Sequence, residues 1–389
     1  MKIVVCQRVC PEYIVPLFRE LARKYDIEFV FSRFGQEHAF FFDPARLGDL
    51  PVRALRPPPF PLRPFRSRAL NKLAFWAHIL VLGAQLAATL LRGRHDVIVG
   101  GDFLRFEAVV ACAVARIGRR RYVLWSDEWH WPLTWRDRLR LPLVRWMVRS
   151  STALLAGGTK AKEKLVELGA GSRPVFNVYH TNVRVKDAPR TPDAERFVLY
   201  VGRLEERKGV DVLLRAFADV RRSRPGVRLK VLGRGELLAP LQALAASLAI
   251  ADAVDFVGWV DHDAVDDYYR RCAVFVLPSR FTPGGGYEPF SNVVLEAMAC
   301  GAPVIATTAN GVAFDVVEDG VNGRVVPGGD VAALASALAA LLDDPAAAEA
   351  MGRRGQATIR DRFNVDRMAE RFGAALDTVF RLATAHTSR

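Results

Sequence analysis

The stretch from Leu277 to Thr308 reads L-P-S-R-F-T-P-G-G-G-Y-E-P-F-S-N-V-V-L-E-A-M-A-C-G-A-P-V-I-A-T-T and leaves few folds open. It begins at the end of an apolar run, Ala273 to Leu277, whose shortness and β-branched content predict a buried parallel strand. Pro283, Gly284, Gly285 and Gly286 then exclude a regular element and let the backbone approach a ligand closely. Ser291 or Asn292 is placed to cap a helix that turns Val293, Val294, Leu295, Ala297 and Met298 inward and stops at Gly301. A second strand, Pro303 to Ala306, follows. Strand, loop, helix and strand in that order belong to an open α/β sheet.

Two carboxylates lie in this unit with seven residues between them, Glu288 in the loop and Glu296 about one turn inside the helix. Both can face one ligand entering from the strand ends. A helix N-terminus favours an anionic phosphate, and a carboxylate one turn away suits paired hydroxyls such as those of a ribose. Together they describe a pocket for a nucleotide sugar, against the plainer reading of one solvated loop acid and one helix-face acid.

The run Glu288-Pro-Phe-Ser-Asn-Val-Val-Leu-Glu296-Ala-Met-Ala-Cys-Gly301-Ala-Pro-Val resembles the donor-site signature of the family 4 retaining glycosyltransferases. That resemblance implies an α/β chain of the GT-B fold, two doubly wound Rossmann-like domains facing an interdomain cleft. It implies that Glu288 sits by the donor hexose as the catalytic candidate of the donor side. It also implies that the backbone at Phe290, Ser291, Asn292 and Val293 holds sugar or phosphate, and that Glu296 binds the ribose. Earlier, Phe197 to Val201 reads as a strand followed by Gly202-Arg-Leu-Glu-Glu-Arg-Lys-Gly209 and a helix. In the family this pattern supplies an arginine and a lysine to the donor diphosphate, and Arg203 and Lys208 match those places. A diphosphate leaving group gains negative charge as the glycosidic bond breaks, and fixed cations stabilise it. Gly202 and Gly233 are read as letting the backbone near the nucleotide, and Gly258-Trp-Val260 as lying where relatives hold the base.

Charge separates the chain into unlike parts. Residues 1 to 190 hold 32 Lys and Arg against 16 Asp and Glu, while residues 191 to 389 hold 23 against 26. The basic excess can serve nucleic acid, an anionic membrane or an anionic substrate, and no nucleic-acid-binding motif favours the first. Five scattered cysteines, without metal spacing, read as small core residues in a reducing compartment. The chain opens Met1-Lys-Ile-Val-Val, straight into a strand, and a cytoplasmic location is expected, with the inner face of the plasma membrane as a peripheral site.

Along the first half, Lys2 to Cys6, Val15 to Tyr25 and Ile27 to Phe31 read as strand, helix and strand. Pro51 to Arg68 carries six prolines and five arginines around Phe60 and Phe65, which predicts a basic, partly extended loop. Leu73 to Leu91 is uncharged and apolar except where His78, Gln85 and Thr89 interrupt it; a buried helix is expected, with a helix lying in a membrane interface as the alternative. A strand ending at Trp125 is followed by Ser126, Asp127, Glu128, Trp129 and His130, and strand ends gather ligands in such sheets. Asp127, Glu128 or His130 is therefore placed to orient an acceptor hydroxyl or take its proton, or else belongs to a solvated loop pinned by tryptophans. Arg136 to Arg149 interleaves arginines with Leu139, Leu143 and Trp146 as a basic amphipathic helix interrupted at Pro142. Asp261 and Asp263 are read as a helix start with Asp261 as its cap, not a metal pair.

The expected organisation is an acceptor-side domain at 1–188, a donor domain at 189–364 and a last helix at 365–389 crossing back. The expected activity transfers a hexose from a nucleoside diphosphate sugar, UDP or GDP linked, to a lipid-linked or cell-envelope glycan, with retention and with neither metal nor cofactor. A sugar-nucleotide epimerase and a non-catalytic membrane or glycan-binding scaffold are the alternatives.

Overall fold

The computed structural model describes residues 1–8, 14–32, 47–58, 67–131, 134–179, 181, 183–185, 188–193 and 195–387. Outside these lie residues 9–13 of the turn after the first strand, Phe60, Arg63, Phe65 and Arg66 of the proline-rich loop, His180, and Lys186 and Asp187 of the expected linker. The chain forms two compact units, residues 1–182 with 368–389, and residues 183–367. The sequence reading sets the divisions at 188/189 and 364/365. The two crossing strands of chain are tied together within the second unit, because Val365 N–H donates to Val183 O at 3.2 Å and Arg184 meets Asp366 at 3.4 Å.

The first unit runs β1 (Lys2–Gln7), α1 (Val15–Lys24), β2 (Asp26–Phe31), β3 (Val52–Ala54), α2 (Arg68–Arg92), β4 (Val97–Gly100), α3 (Phe106–Ile117), β5 (Arg121–Ser126), α4 (Trp135–Ser150), β6 (Ala153–Ala156), α5 (Thr159–Glu167) and β7 (Val175–Asn177). Its strands are all parallel, in the order β3-β2-β1-β4-β5-β6-β7. The second runs β8 (Phe197–Val201), α6 (Val210–Ser223), β9 (Arg228–Leu232), α7 (Leu238–Ser247), β10 (Val254–Gly258), α8 (His262–Arg271), β11 (Val274–Leu277), α9 (Asn292–Ala299), β12 (Val304–Thr307), α10 (Val312–Asp315), β13 (Arg324–Val326), α11 (Val331–Asp343) and α12 (Pro345–Arg362). Its order is β10-β9-β8-β11-β12-β13, also parallel. A last helix, α13 (Val365–Thr387), begins in the second unit and ends in the first, where Phe372 stacks edge-on to Trp125 at 5.1 Å.

Parallel strands are covered on both faces, which is why β4, β6, β11 and β12 are buried at every residue. In both sheets the order reverses beside the first strand, between β1 and β4 and between β8 and β11. Crevices at such reversals, outside the carboxyl ends of the strands, are where ligands bind.

Three expectations change. The proline-rich segment contributes β3, three residues on the sheet edge, where prolines after it do not interrupt a ladder. Helix α4 runs unbroken through Pro142, which sits on its exposed side. Helix α2 is not a buried helix. Ala74, His78, Leu82, Leu86 and Leu90, each four residues apart, face the core, while Leu73, Trp76, Leu80 and Leu91 are exposed.

Leu86→Ala, at 1% exposure, is expected to lower stability by about 2–5 kcal/mol, whereas Leu80→Ala, at 70%, shifts it by less than about 0.5 kcal/mol. Urea unfolding of the two variants checks this. Equal losses would mean that α2 is covered on both sides.

Candidate functional site

The site of the second unit grows from the loops leaving β8, β9, β11 and β12. After β8 come Gly202, Arg203, Leu204 and Glu205, one tight 3-10 turn at Glu206–Lys208, and Gly209 before α6. Gly209 has φ +65°, and a Cβ on it would lie 2.0 Å from the carbonyl oxygen of Pro278 beyond β11. Gly233, beyond β9, has φ +140°, and its Cβ would lie 1.8 Å from the carbonyl oxygen of Gly202. Side chains are therefore excluded where these backbones meet. The buried Tyr200 hydroxyl donates to Arg203 O at 2.8 Å and holds the turn from below.

This turn delivers two cations to one carboxylate. Glu288, 7% exposed, is met by Lys208 Nζ and Arg207 Nη1 on the same oxygen, Oε2. Arg207 Nε continues to Glu205 Oε2 at 3.3 Å, and Arg203 Nη1 reaches Glu205 Oε1 at 2.6 Å. Arg203, Lys208 and Glu288 thus belong to one ion cluster, joined through Glu205 and Arg207, two residues that the sequence reading did not single out. The signal for Arg207 was the same turn; its pairing across 81 positions with Glu288 is visible only in three dimensions. The Glu288 backbone is also fixed, its N–H donating to Ala309 O at 3.0 Å and its C=O accepting from Gly311 N–H at 3.1 Å.

From Glu288 the chain passes Phe290, Ser291, Asn292 and Val293 into the first turn of α9. Ser291 occupies the N-cap, yet its side chain makes no bond to the first turn, so the expected side-chain cap is absent. The first-turn N–H groups of α9 therefore take no acceptor from the Ser291 side chain. Ser279 Oγ, Asn292 Oδ1 and Asn310 Nδ2, on the segments framing Glu288, are buried and unpartnered. Such atoms each cost about 1–3 kcal/mol when left unsatisfied, and a bound water or a polar ligand would satisfy them. Further along α9, Glu296 accepts from the Tyr269 hydroxyl at 3.2 Å. Burial, and then the Glu296 charge, push Tyr269 well above the ordinary tyrosine range, so it remains a donor. Beyond β10, Arg234 stacks over Trp259 at 5.1 Å, at the place expected for a base. Asp261 stands at the N-cap of α8 without a side-chain bond to it, which corrects its expected capping role.

The other candidates lie in the first unit, at its own strand ends. Asp127 leans over Gly157, where a Cβ would come within 2.0 Å of its Oδ1. Glu128 N–H donates to the buried Ser126 Oγ at 3.2 Å. Burial and then the Lys164 charge hold His130 below the usual histidine range, which keeps its ring neutral and able to accept a proton at pH 7. Two acids here were missed. Burial raises Asp102 against the Leu104 N–H and Arg105, with the negative Asp127 pushing the same way. Burial also raises Glu107, whose Oε1 accepts from the Ser32 hydroxyl. Their signal was Gly100-Gly101-Asp102 after an apolar strand, the same strand-end rule that singled out Asp127. Among the described residues no group of three or more His, Cys, Asp or Glu is arranged to hold a metal ion.

Residues 184–358 match the family model for glycosyl transferases group 1. Over 226 residues the chain is 33% identical to a glycogen synthase of Mycobacterium tuberculosis, covering 56% of this chain and 52% of that one. Over 161 residues it is 40% identical to a GDP-mannose-dependent alpha-(1-6)-phosphatidylinositol monomannoside mannosyltransferase of Mycolicibacterium smegmatis, covering 41% and 42%. The chain thus spans about half the length of the curated relatives it matches. Among solved structures, HepE of Anabaena in complex with UDP superposes with a TM-score of 0.76 at 21% identity, covering 97% of this chain and 100% of that one.

Lys208→Ala removes one of the two cations on a buried carboxylate and is expected to cost about 3 kcal/mol, the remaining Arg207 limiting the loss. Adding Glu288→Gln to it should restore part of that stability in chemical denaturation. Additive losses in the double variant would show that the pair is not coupled.

Proposed function

We propose that this chain, a family 4 glycosyltransferase by its residues 184–358 and GT-B in fold, transfers a hexose from a nucleoside diphosphate sugar to a hydroxyl of a lipid-linked or cell-envelope glycan, with retention at the anomeric carbon. The observation that carries the reading is the convergence of Lys208 and Arg207 on Glu288 beside the first turn of α9. A donor diphosphate fits there because it brings negative charge to cations already gathered, and gains more as the sugar leaves. Arg203 and Lys208 stabilise the leaving diphosphate, and Arg207 keeps Glu288 in place. Glu288 and the backbone of residues 290–293 hold the hexose. Glu296, oriented by Tyr269, takes the ribose hydroxyls. A UDP or a GDP sugar is the donor, in keeping with the nucleotides named for the relatives.

These cations do the charge neutralisation that a divalent ion would otherwise supply, so the reaction proceeds without metal or cofactor. The departing phosphate takes the proton of the acceptor hydroxyl on the face where the sugar is displaced, and no side-chain nucleophile takes part. In the first unit, Asp127 or the neutral His130 is the residue to bind an acceptor hydroxyl. The enzyme works in the cytoplasm, where it meets its activated sugar.

A thermal-shift screen against UDP, GDP and their sugars, with and without EDTA, tests the donor site. One nucleotide should raise the melting temperature with concentration, equivalent to about 2.7 kcal/mol at a hundredfold excess over Kd, and EDTA should leave the shift intact. Lys208→Ala should abolish it. Absence of any shift, or its loss with EDTA, overturns the donor assignment; an isomerised donor formed without acceptor would make the chain an epimerase.

A further inference from the structure

The first unit carries a surface that neither sheet nor site uses. Helices α2 and α4 both pack on α3 on one face of the sheet, as right-handed crossovers from β3 to β4 and from β5 to β6 require. Each turns an apolar stripe away from the sheet. On α2 it is Leu73, Trp76, Leu80 and Leu91, spaced so as to share one side of the helix. On α4 it is Trp135, Leu139, Leu143 and Trp146, with Trp135 67% and Leu139 72% exposed, opposite the buried Val144, Met147 and Val148. Helical position places Arg138, Arg145 and Arg149 on one flank of the α4 stripe and Arg136 and Arg140 on the other. The one acid of α4, Asp137, is occupied in a capping box with Thr134, its Oδ2 accepting from Thr134 N–H at 3.0 Å and from the Thr134 hydroxyl at 2.9 Å.

We infer that this face lies on a lipid bilayer bearing anionic headgroups, with the Trp and Leu stripes in the acyl boundary and the arginines on the phosphates. A stripe of tryptophan and leucine bordered by arginine is the composition of a helix lying in a membrane interface. A second copy of the chain is disfavoured as the occupant, since pairing like faces would set the α4 arginines against each other. Crossing the bilayer is excluded for α2 while the unit is folded. Leu82, Leu86 and Leu90 are part of the core with Ala111 and Cys112, and Gln85 holds the Arg56 backbone through bonds of 3.0 and 2.9 Å. The helix is anchored to the sheet by one side and offers the other.

Co-sedimentation of the full chain with vesicles of phosphatidylcholine alone, and of phosphatidylcholine with phosphatidylglycerol, tests the inference. Partition onto the phosphatidylglycerol vesicles should be strong and should fall with added salt, with little on phosphatidylcholine alone. Trp135→Asp with Leu139→Asp should reduce it at least about tenfold while leaving the melting temperature unchanged. Arg138→Glu with Arg145→Glu, which keeps the stripe, should remove the preference for anionic lipid. Binding to neither vesicle overturns the inference, as does equal binding to both. A concentration-dependent dimer that Leu139→Asp dissolves, without vesicle binding, would assign the face to a second copy instead.

Discussion

A carboxylate nine-tenths withdrawn from water has to be neutralised where it stands, and the donor-side unit is arranged around that requirement. Glu288 is fixed through its backbone to Ala309 and Gly311, so its two cations must be carried to it. They arrive on the turn between β8 and α6, and they arrive together because Gly209 lets that turn press against Pro278 at a distance that admits no side chain. The cluster therefore staples two segments far apart in the chain across the reversal of the sheet. With three cations against two carboxylates it also keeps one positive charge in excess, held in place before an anion enters, and such prior assembly is what makes fixed cations effective on a charge that develops.

The two units repeat one strand order but fill their strand ends differently, the first with buried acids and the second with paired acids and cations. The first half of the chain is strongly basic in sum, yet its strand ends gather Asp102, Glu107 and Asp127, with burial raising Asp102 and Glu107 above the usual carboxylate range. Residues 191 to 389 are slightly acidic in sum, and the second unit's strand ends pair Arg203, Arg207 and Lys208 with Glu205 and Glu288. Net charge describes the outer surface. The local charge at the strand ends is set by a few side chains on loops that each parallel sheet brings to one end. Acids held toward their protonated form can donate as well as accept, which suits a rim that meets neutral hydroxyls; arginine and lysine suit one that meets phosphate.

What the sequence disclosed follows the range over which each feature is encoded. The strand, glycine loop and helix from Leu277 to Gly301 were legible because their signals are adjacent: a β-branched run, a glycine cluster, an apolar helical face and a terminating glycine with φ +74°. Arg207, Tyr269 and Asn310 were not, because their significance lies in pairings between loops or elements remote in sequence. The capping readings at Ser291 and Asp261 failed for a different reason. Residue type gives the opportunity for a cap, and the local rotamer decides whether the bond is made. Pro142 likewise marks a lost hydrogen bond, but on an exposed helical side water can satisfy the carbonyl it frees, and α4 continues.

Helix α2 exposes the limit of hydrophobic patterning most directly. A helix apolar on all sides reads as buried, since nothing in its composition distinguishes the side that meets the core. Here the distinction comes from the neighbours: α3 and the segment after β3 at Leu55 and Arg56 offer one surface, to which Leu82, Gln85, Leu86 and Leu90 turn, and no other element covers Leu73 or Leu80 among the described residues. Apolar burial stabilises a fold only for surface removed from water on folding. The outward leucines and tryptophans remain hydrated in the folded and unfolded chain alike, so folding gains little from them, and they enlarge the exposed apolar area at a cost in solubility. How the unit folds therefore does not account for the outward stripe of α2, nor for the one that α4 carries among its arginines.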